Sequence, residues 1–155
     1  MEWLRYEYRV STDPCLLQLD VIHRFLCQTT WAKDIPKSLV AKAIDGSLCF
    51  GLYKGEEQIG FARVITDRAT LAYLSDLFVL DAYQGAGLGQ WLLSCVVAHP
   101  ELQSLRRMLL STQGGHDLFG KYGFAPLNHP EQMLEVFHAD QFKEESNRLY
   151  DLCMD

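Results

Sequence analysis

The fold is decided by residues 71–100, LAYLSDLFVLDAYQGAGLGQWLLSCVVAHP. The apolar run 71–80 is rich in aromatic and branched side chains and predicts a buried strand. A glycine-rich turn follows. From Leu88 the apolar residues recur at helical spacing until Pro100 prevents continuation. The sequence therefore predicts a strand, a glycine loop and a helix in direct succession.

The glycine loop Gln84-Gly85-Ala86-Gly87-Leu88-Gly89 leads into this helix. The first N–H groups of a helix have no partner within it, and the aligned peptide dipoles place roughly half a positive charge there. Glycine at three positions of the loop removes the side chains that would hold an anion away from those N–H groups. We therefore expect a phosphorylated ligand to bind at this loop.

The spacing of the glycines distinguishes the known phosphate-binding motifs. The dinucleotide motif G-x-G-x-x-G, started at Gly85, requires glycine where Gln90 stands. The P-loop motif G-x-x-x-x-G-K-[ST] fails at the same place, and no Lys-Ser or Lys-Thr pair follows. The pattern that fits is Q/R-x-x-G-x-G, placed between a strand and a helix.

This pattern resembles the acyl-coenzyme A signature of the GCN5-related N-acetyltransferase (GNAT) family. A second likeness follows downstream, where residues 119–124, FGKYGF, resemble the family's Y-E-K-x-G-F ending. Together the resemblance covers roughly residues 6–138. It implies acetyl-CoA (coenzyme A) as the cofactor, bound by Gln84 through Gly89, and acetyl transfer to an amine.

Composition is ordinary for a soluble globular protein. The chain has 155 residues, of which 48% are hydrophobic and 22% charged, enough for one domain. No apolar run approaches the roughly 18–20 residues of a membrane span, and the start lacks a signal-peptide profile, so we expect a cytoplasmic protein. The net charge of −6 disfavours a nucleic-acid partner. The five cysteines form no C-x-x-C pair and predict reduced core thiols rather than a metal site.

Strands and helices are predicted around the central unit. Strands are expected at 6–10, 48–53, 58–66, 107–111 and 133–138, and helices at 16–27, 36–44 and 116–122. The core would then span about residues 6–138, with 139–155 as a C-terminal extension. The order predicts a single domain over residues 1–155, with a mixed α/β (α+β) fold in which helices cover a mixed sheet.

The GNAT resemblance implies a mostly antiparallel sheet with one parallel pair in its middle. Strands 71–80 and 107–111 would form that pair and splay apart, with the pantetheine arm of the cofactor in the gap. The unpaired N–H and C=O groups at the splay need partners, which the pantetheine amides would supply. A backbone N–H near Phe78 or Val79 is the expected donor to the thioester carbonyl, where negative charge develops.

Acetyl transfer also requires a neutral amine, and a primary alkyl amine with a pKa of about 10.4 is almost fully protonated at pH 7. Asp76 is a carboxylate in an apolar strand and needs a partner or a function. Either it handles the amine proton, as acidic residues on this strand often do in GNAT enzymes, or it is a structural carboxylate bonded to backbone or to Arg63. Tyr73, which strand alternation places on the opposite face, either hydrogen-bonds the acceptor or packs.

We expect direct attack by the amine, because no cysteine in the sequence stands beside an obvious base. Cys49 and Cys95 are the alternative acyl carriers. The leaving thiolate benefits from a proton donor. Here the sequence departs from the GNAT pattern, because the family's usual tyrosine falls on Phe119, which has no proton to give.

His116 and Tyr122 are the remaining catalytic acids, with solvent or no acid as further alternatives. Tyr122 lies on another side of the helix from Phe119, since three residues advance about 300°. Thr112 stands where GNAT members often carry an asparagine that contacts the cofactor. We place Thr112 and Phe119 in the cofactor site on the strength of the resemblance.

The loop between the first two helices is the expected wall of the acceptor site. Trp31 in this loop either stacks on the substrate or covers the core. The leading hypothesis is an acetyl-CoA-dependent N-acetyltransferase that acts on a small-molecule or peptide amine. The alternatives are a domain that holds acyl-CoA without transferring it, as Phe119 would permit, and a nucleotide-phosphate binder unrelated to coenzyme A. We expect no membrane partner, and the sequence leaves a homodimer open.

Overall fold

In the computed structural model the chain forms one six-stranded sheet with helices on both faces. The structure describes residues 1–154, and the side chains of all of these except 146 and 150–154. The strands are β1 (Glu2–Arg5), β2 (Tyr8–Ser11), β3 (Leu48–Lys54), β4 (Glu57–Thr66), β5 (Leu71–Val79) and β6 (Arg107–Leu110). The α-helices are α1 (Leu19–Leu26), α2 (Lys37–Asp45), α3 (Leu88–Ala98), α4 (His116–Gly120) and α5 (Gln141–Met154).

The strands lie side by side in chain order, and every neighbouring pair is antiparallel except β5 and β6. The parallel pairing covers only the first half of β5, from Leu71 opposite Arg107 to Leu74 opposite Leu110. β5 then continues to Val79 without a strand beside it on that edge within residues 1–154. The predicted mixed α/β fold with splayed strands is confirmed, but the parallel pair lies at an edge of the sheet and not in its middle, because residues 133–138 form no strand beyond β6.

Two separate hydrophobic cores hold the helices against the sheet. The α3-side core contains buried residues of β3, β4, β5 and α3, among them Phe50, Val64 and Leu92. The α1-side core lies on the opposite face and includes Ile22 and Phe61. Because side chains along a strand alternate between faces, the central strands β3, β4 and β5 each contribute to both cores. The sheet therefore separates what lies next to α3 from what lies next to α1 and α2.

A β-bulge interrupts the pairing of β4 with β5. Phe61 lies opposite Phe78 and Arg63 lies opposite Ser75, so one residue of β4 faces two residues of β5. Asp76 occupies the bulge with a φ of 55°. Aspartate is several-fold enriched among the non-glycine residues that adopt this left-handed conformation. The sequence thus offers a tolerant residue at the one strained position of the strand.

The bulge changes which face the later side chains of β5 occupy, because an extra residue reverses the two-residue alternation. Tyr73, Ser75 and Asp76 all line one pocket on the α1 side of the sheet, and Phe78 packs in the α1-side core. The prediction that Tyr73 and Asp76 lie on opposite faces is therefore wrong. Regular alternation was assumed at the one place where the strand departs from it.

The two ends of the chain also differ from the prediction. The first predicted strand, 6–10, is present as β2 with later bounds, and the unpredicted β1 pairs with it in a hairpin that turns at Tyr6 with a φ of 55°. The predicted strand at 133–138 is wrong, because these residues form no regular secondary structure. Most of the C-terminal extension forms α5. Within residues 1–154 the structure has no helix of the length and hydropathy that a membrane crossing needs.

Candidate active site

The glycine loop enters α3 through left-handed backbone. Gly85 has a φ of 88° and Gly87, the residue before the helix, has a φ of 75°. Most L side chains avoid this conformation. A Cβ atom at either position would meet no atom within 4 Å, so the loop surface is open. Gly89 lies inside the helix, where a Cβ would make only an ordinary 3.7 Å contact with Val79.

The start of α3 presents backbone donors that the protein leaves without partners. The first intrahelical bond runs from the Trp91 N–H to the Gly87 carbonyl, at 3.1 Å. The N–H groups of Leu88, Gly89 and Gln90 have no acceptor among the residues that the structure describes. No side chain caps the helix, and its first turn carries no acidic residue. This end of the helix can therefore accept an anion such as a pyrophosphate.

The Gln84 side chain stabilises the start of the glycine loop through two hydrogen bonds. Its Nε2 group donates to the Val79 carbonyl at 2.9 Å and to Asp81 Oδ1 at 3.2 Å. The side chain therefore ties the glycine loop to the end of β5. Ala86 sits exposed at the tip of the loop. Any contact of Gln84 with a cofactor would have to come from its backbone or its remaining side-chain oxygen.

The alternation of hydrogen bonds between β4 and β5 shows which backbone N–H points into the gap beside the end of β5. The Leu80 N–H donates to the Ile59 carbonyl at 2.8 Å. Opposed residues in an antiparallel pair alternate between bonded and non-bonded. Val79, opposite Gly60, is therefore in a non-bonded pair, and its N–H points away from β4 into the gap. The N–H of Phe78 points back at β4, so Val79 is the better placed of the two predicted donors.

A pocket of about 270 Å³ lies beside the first two turns of α3. Its lining residues are Arg5, Gly87, Gln90, Trp91, Ser94 and Tyr122. Arg5 comes from the end of β1, and its guanidinium carbon lies 5.9 Å from the centre of the Trp91 ring. A cation therefore stands next to the glycine loop. Sequence reasoning missed Arg5 because it did not predict β1.

The two predicted acids, His116 on α4 and Tyr122 just after it, lie in different surroundings. Tyr122 is half-buried, and its hydroxyl donates to the Gln90 carbonyl on α3 at 3.1 Å. While it makes that bond, its proton is not directed at a thiolate. His116 is exposed at the first position of α4. Both acid roles stay predictions, and His116 is the one whose ring is exposed.

Thr112 lies shortly before α4 and Phe119 lies on it, and both are close to Gly115. The Thr112 hydroxyl accepts from the Gly115 N–H at 3.0 Å. Phe119 is half-buried and meets Phe124 edge to face, with ring centres 5.9 Å apart. A Cβ at Gly115 would lie 2.8 Å from the Phe119 ring, so glycine is required there. Sequence reasoning missed Gly115, because only the neighbouring ring reveals the need for it.

A second pocket, of about 250 Å³, lies on the α1 side of the sheet. Aliphatic residues of α1 and α2 line one part of it, among them Leu26 and Val40. The polar part is formed by Trp31, Arg63, Tyr73, Ser75 and Asp76. Phe142 of α5 also lines it, although no pattern in the sequence connected α5 with a site. The predicted acceptor residues are therefore brought to one pocket.

Asp76 is the centre of a hydrogen-bond network in this pocket. Its Oδ2 accepts from Arg63 Nε at 2.8 Å, and its Oδ1 accepts from Trp31 Nε1 at 2.9 Å and Ser75 Oγ at 3.3 Å. Arg63 also donates to the Ser47 hydroxyl at 3.2 Å. The Asp76 and Arg63 side chains are 8% and 15% exposed. The pairing with Arg63 that one interpretation predicted is present, and a role for Asp76 in proton transfer stays a prediction.

The predicted acyl-carrier alternatives have little thiolate character. Cys49 and Cys95 are buried, and desolvation raises their pKa values to about 12 and about 11. A thiol with such a pKa stays protonated at neutral pH and is a poor nucleophile. Cys15 is exposed rather than in the core. All four cysteines with described side chains are free, and Cys153 lies outside the described side chains.

Cys27 contradicts the expectation that no cysteine stands beside a base. Its Sγ lies 3.1 Å from His23 Nε2, one turn earlier on α1. That nitrogen also lies 2.9 Å from the Ile35 carbonyl, which can only accept. We assign the Nε2 proton to this bond, so Nε2 cannot take the thiol proton. Burial also raises the pKa of the Cys27 thiol, and direct attack by the acceptor stays a prediction. Among the described residues, no group of His, Cys, Asp and Glu could hold a metal ion.

Comparison with known proteins agrees with this geometry. The family described as "Acetyltransferase (GNAT) domain" matches residues 45–126, from the end of α2 through the glycine loop and α4. A protein of Gibberella zeae named "Putative acetyltransferase" is 38% identical, with 77% of this chain and 79% of that protein covered. More than half of the chain is thus matched by one family.

Solved structures extend the likeness. A crystal structure from Xanthomonas campestris pv. campestris, described as belonging to the GNAT family, is 48% identical with a TM-score of 0.85, covering 87% of this chain and 96% of that one. A GNAT family acetyltransferase from Elizabethkingia anophelis, solved with acetyl-CoA bound, is 14% identical with a TM-score of 0.61, covering 86% and 90%, and is similar in fold alone. The protein belongs to the GCN5-related N-acetyltransferase family.

Proposed function

We propose that the protein is an acetyl-CoA-dependent N-acetyltransferase that transfers the acetyl group directly to a primary amine of a small molecule or peptide. The observation that carries the proposal is the open glycine loop at the start of α3, with three backbone donors that the protein leaves unpartnered. Acetyl-CoA bound to the Elizabethkingia anophelis relative supports the choice of cofactor. The free cysteines support a cytoplasmic location as part of the proposal.

The residues present fit an acyl-CoA cofactor. In our proposal the N–H groups of Leu88, Gly89 and Gln90 bind its pyrophosphate, and Gly85 and Gly87 leave room for it. Arg5 and the α3 dipole add positive charge on the same side. Acetyl-CoA, when bound, supplies the activated thioester. The Val79 N–H, directed into the gap beside β5, is the donor that stabilises negative charge on the carbonyl oxygen.

The acceptor amine binds in the pocket on the α1 side, in this proposal. Trp31 offers an aromatic face there, and its indole is held by Asp76. Asp76 is also the only carboxylate among the described residues that line the pocket. In our proposal Asp76 accepts the proton of the amine, and a water molecule carries that proton between them. Direct contact is disfavoured because the Asp76 oxygens already accept three hydrogen bonds.

Protonation of the thiolate leaving group requires less catalysis than deprotonation of the amine. A thiol of ordinary pKa, about 8.5, leaves as a thiolate that is stable at mildly alkaline pH, so a weak or absent acid slows the reaction only moderately. Phe119 has no proton, and the Tyr122 hydroxyl donates to Gln90. In our proposal the thiolate is protonated by exposed His116 or by water.

A domain that binds acyl-CoA without transferring the acetyl group is the second candidate function. Phe119 at the usual tyrosine position and the engagement of Asp76 by Arg63 favour it. Both functions predict coenzyme A binding, but only the first predicts turnover. The purified protein is therefore tested twice, by calorimetry with coenzyme A and by free-thiol release from acetyl-CoA with polyamines, aminoglycosides and peptides with free N-termini.

The two measurements give separable outcomes. Binding together with amine-dependent thiol release supports the acetyltransferase, and mass spectrometry of the acceptor identifies the acetylated amine. Binding with no release across the panel supports the non-catalytic module. Absence of coenzyme A binding contradicts both, because both depend on the glycine loop.

A further inference from the structure

The pocket of about 250 Å³ on the α1 side, called the acceptor pocket from here on, has mainly apolar walls. Its aliphatic lining comes from α1, α2 and the loop between them, and consists of Leu26, Ala32, Ile35, Val40, Ala43 and Ile44. Phe61 of β4 and Phe142 of α5 add two aromatic rings. In ligand pockets such walls hold the body of the ligand, while a few polar groups fix its orientation. We therefore expect the body of the acceptor to be apolar.

The charges inside the acceptor pocket cancel. Among the described side chains that line it, Asp76 is the only acid and Arg63 the only base. They form an ion pair, with Arg63 Nε 2.8 Å from Asp76 Oδ2, and their side chains are 8% and 15% exposed. One incoming ammonium group can lie near the Asp76 carboxylate. A second ammonium group would be buried among apolar side chains without a carboxylate of its own, which is strongly unfavourable.

The polar side chains of the pocket are bonded mainly to one another. The Asp76 carboxylate accepts hydrogen bonds from three of them, Trp31, Arg63 and Ser75. A carboxylate beside the amine of the acceptor would lie close to Asp76 and be repelled by it, and Arg63 is already paired with that residue. An amide in the same place would have to compete for donors that Asp76 already holds. The pocket is thus poorly suited to a second polar group next to the amine.

We propose that the acceptor is a small monoamine, with one primary amine on an uncharged alkyl or aryl body. The amine lies near Asp76, and the body lies along α1, α2 and Phe142. Polyamines, aminoglycosides, amino acids and peptides are then poor acceptors. This proposal rests on the proposed acetyl transfer, because it assigns the acceptor of that reaction. The nitrogen of the neutral amine bonds to the acetyl carbon and loses one proton, the carbon–sulfur bond breaks, and the leaving thiolate gains one proton.

A matched set of amines tests the acceptor class. Pentylamine has one amine on an apolar chain. 1,5-Diaminopentane adds an ammonium group at the far end, 2-aminohexanoate adds a carboxylate beside the amine, and 2-aminohexanamide adds there the amide of a peptide N-terminus. Free-thiol release from acetyl-CoA gives kcat/KM for each. We expect kcat/KM to be at least ~100-fold lower for the diamine than for pentylamine, and at least ~10-fold lower for the other two.

Chain length gives a second measure of the apolar walls. From propylamine to pentylamine, each added methylene group is expected to raise kcat/KM about 4-fold, the gain that corresponds to burying one methylene. Two results would overturn the proposal while leaving acetyl transfer intact. One is a series without such a rise, and the other is turnover of the diamine, the carboxylate or the amide as good as that of pentylamine.

A substitution in the apolar wall tests whether the body of the acceptor lies there. Ala43→Asp places a carboxylate in the wall formed by α2, so the ratio of kcat/KM for 1,5-diaminopentane to that for pentylamine should rise at least ~10-fold. Ser38→Asp is the matched control, because it adds the same charge at an exposed position of α2 that does not line the pocket. An unchanged ratio in folded Ala43→Asp contradicts the proposal. Circular dichroism checks the fold, and the wild-type series stands without the variant.

Binding measurements separate this proposal from the proposed function. Each amine is titrated by calorimetry into the protein with coenzyme A present, a complex in which no acetyl group is available. Tighter binding of pentylamine than of the other three amines, without thiol release from acetyl-CoA, would support the acceptor class and contradict acetyl transfer. Thiol release with another class of amine would support acetyl transfer and contradict the acceptor class. If pentylamine neither binds nor reacts, the acceptor class is wrong whatever coenzyme A does.

Discussion

The two candidate binding regions, the proposed cofactor region and the proposed acceptor pocket, are built from different groups. The cofactor region is made of backbone N–H groups from one contiguous stretch, at the end of β5 and the start of α3. The acceptor pocket is made of side chains from α1, α2, β4, β5, α5 and the loop that carries Trp31. A backbone site depends on glycine and on helix geometry. A side-chain site depends on which residues the fold happens to bring together, so it can change its ligand without changing the fold.

The largest expected effect is on the cofactor region. Gly87→Val places a branched side chain at a φ of 75° in the open loop, and we expect coenzyme A affinity to fall at least ~100-fold, because charge-assisted hydrogen bonds of roughly 1.5–3 kcal/mol each are blocked. Calorimetry with coenzyme A measures the loss. Gly55→Val is the matched control, since Gly55 has a φ of 60° in the β3–β4 turn and equally open surroundings. If affinity survives in Gly87→Val, the cofactor site lies elsewhere.

The next largest effect belongs to the acceptor pocket. We expect Asp76→Asn to lower kcat by about 100-fold, the lower end for loss of a general base, with coenzyme A affinity unchanged. Steady-state kinetics across pH measure it. Ser47→Ala is the control, because it loosens Arg63 without touching the carboxylate. An equal loss in both variants would mean that Asp76 only positions Arg63 and Trp31.

Arg5 tests whether side chains also contribute to the cofactor region. We expect Arg5→Ala to weaken coenzyme A binding by about 10-fold, the low end for a charge-assisted contact to phosphate. If Arg5 contacts the 3′-phosphate, the substitution should lower the affinity for 3′-dephospho-coenzyme A less than the affinity for coenzyme A. Arg24→Ala removes an exposed guanidinium from α1, on the other face of the sheet, and should change neither affinity. Equal losses for both ligands would assign Arg5 to the pyrophosphate instead.

A smaller effect is expected at Phe119, which packs half-buried against the α3-side core. Phe119→Tyr adds a hydroxyl at the family's usual tyrosine position, so kcat should rise several-fold if protonation of the thiolate limits the rate. The pH dependence of kcat should gain a limb from the new phenol. An unchanged rate would show that the missing acid does not limit turnover. Phe124→Tyr, which changes the ring that Phe119 meets, controls for packing.

The smallest effect lies outside both regions. His99 is buried, and desolvation lowers its pKa from the ordinary value of 6.5. The unfolded chain therefore takes up a proton below pH 6.5 that the folded chain refuses, so this contribution to stability is complete above pH 6.5 and is lost as the pH falls towards the folded pKa. Urea unfolding between pH 7 and pH 5 should show the decline, and His99→Gln should flatten it. A loss of activity measured between pH 7 and pH 5 must therefore be corrected for the fraction of protein that has unfolded.

The contrast between the regions explains what the sequence could predict. Gln84 to Gly89 are adjacent in the chain, so their spacing alone indicated the loop and the helix that follows. Asp76 and Trp31 are far apart in sequence, and only the fold joins them. The relation of Tyr73 to Asp76 was predicted wrongly because a bulge depends on the count of residues on the neighbouring strand.

The ends of the chain show the same limit. The strand-like pattern at 133–138 predicted a strand, but a strand exists only with a partner, and a one-chain pattern does not specify one. β1 is mostly exposed and carries no alternating pattern, so it is recognisable only from its register with β2. Arg5 was missed with it. The periodicity of apolar residues identifies elements that bury one face. It does not identify strands that are stabilised mainly by backbone pairing with a neighbouring strand.

The extra residue in β5 also decides what the α1-side pocket contains. Phe78 stacks on Phe25 of α1 at 3.9 Å between ring centres, while Val79 points into the core on the other face. A strand without the extra residue would pair regularly with β4, and Phe78 would still lie opposite Phe61, so both side chains would keep their faces. What such a strand would lose is the left-handed residue itself, and with it the carboxylate to which Arg63 and Trp31 donate.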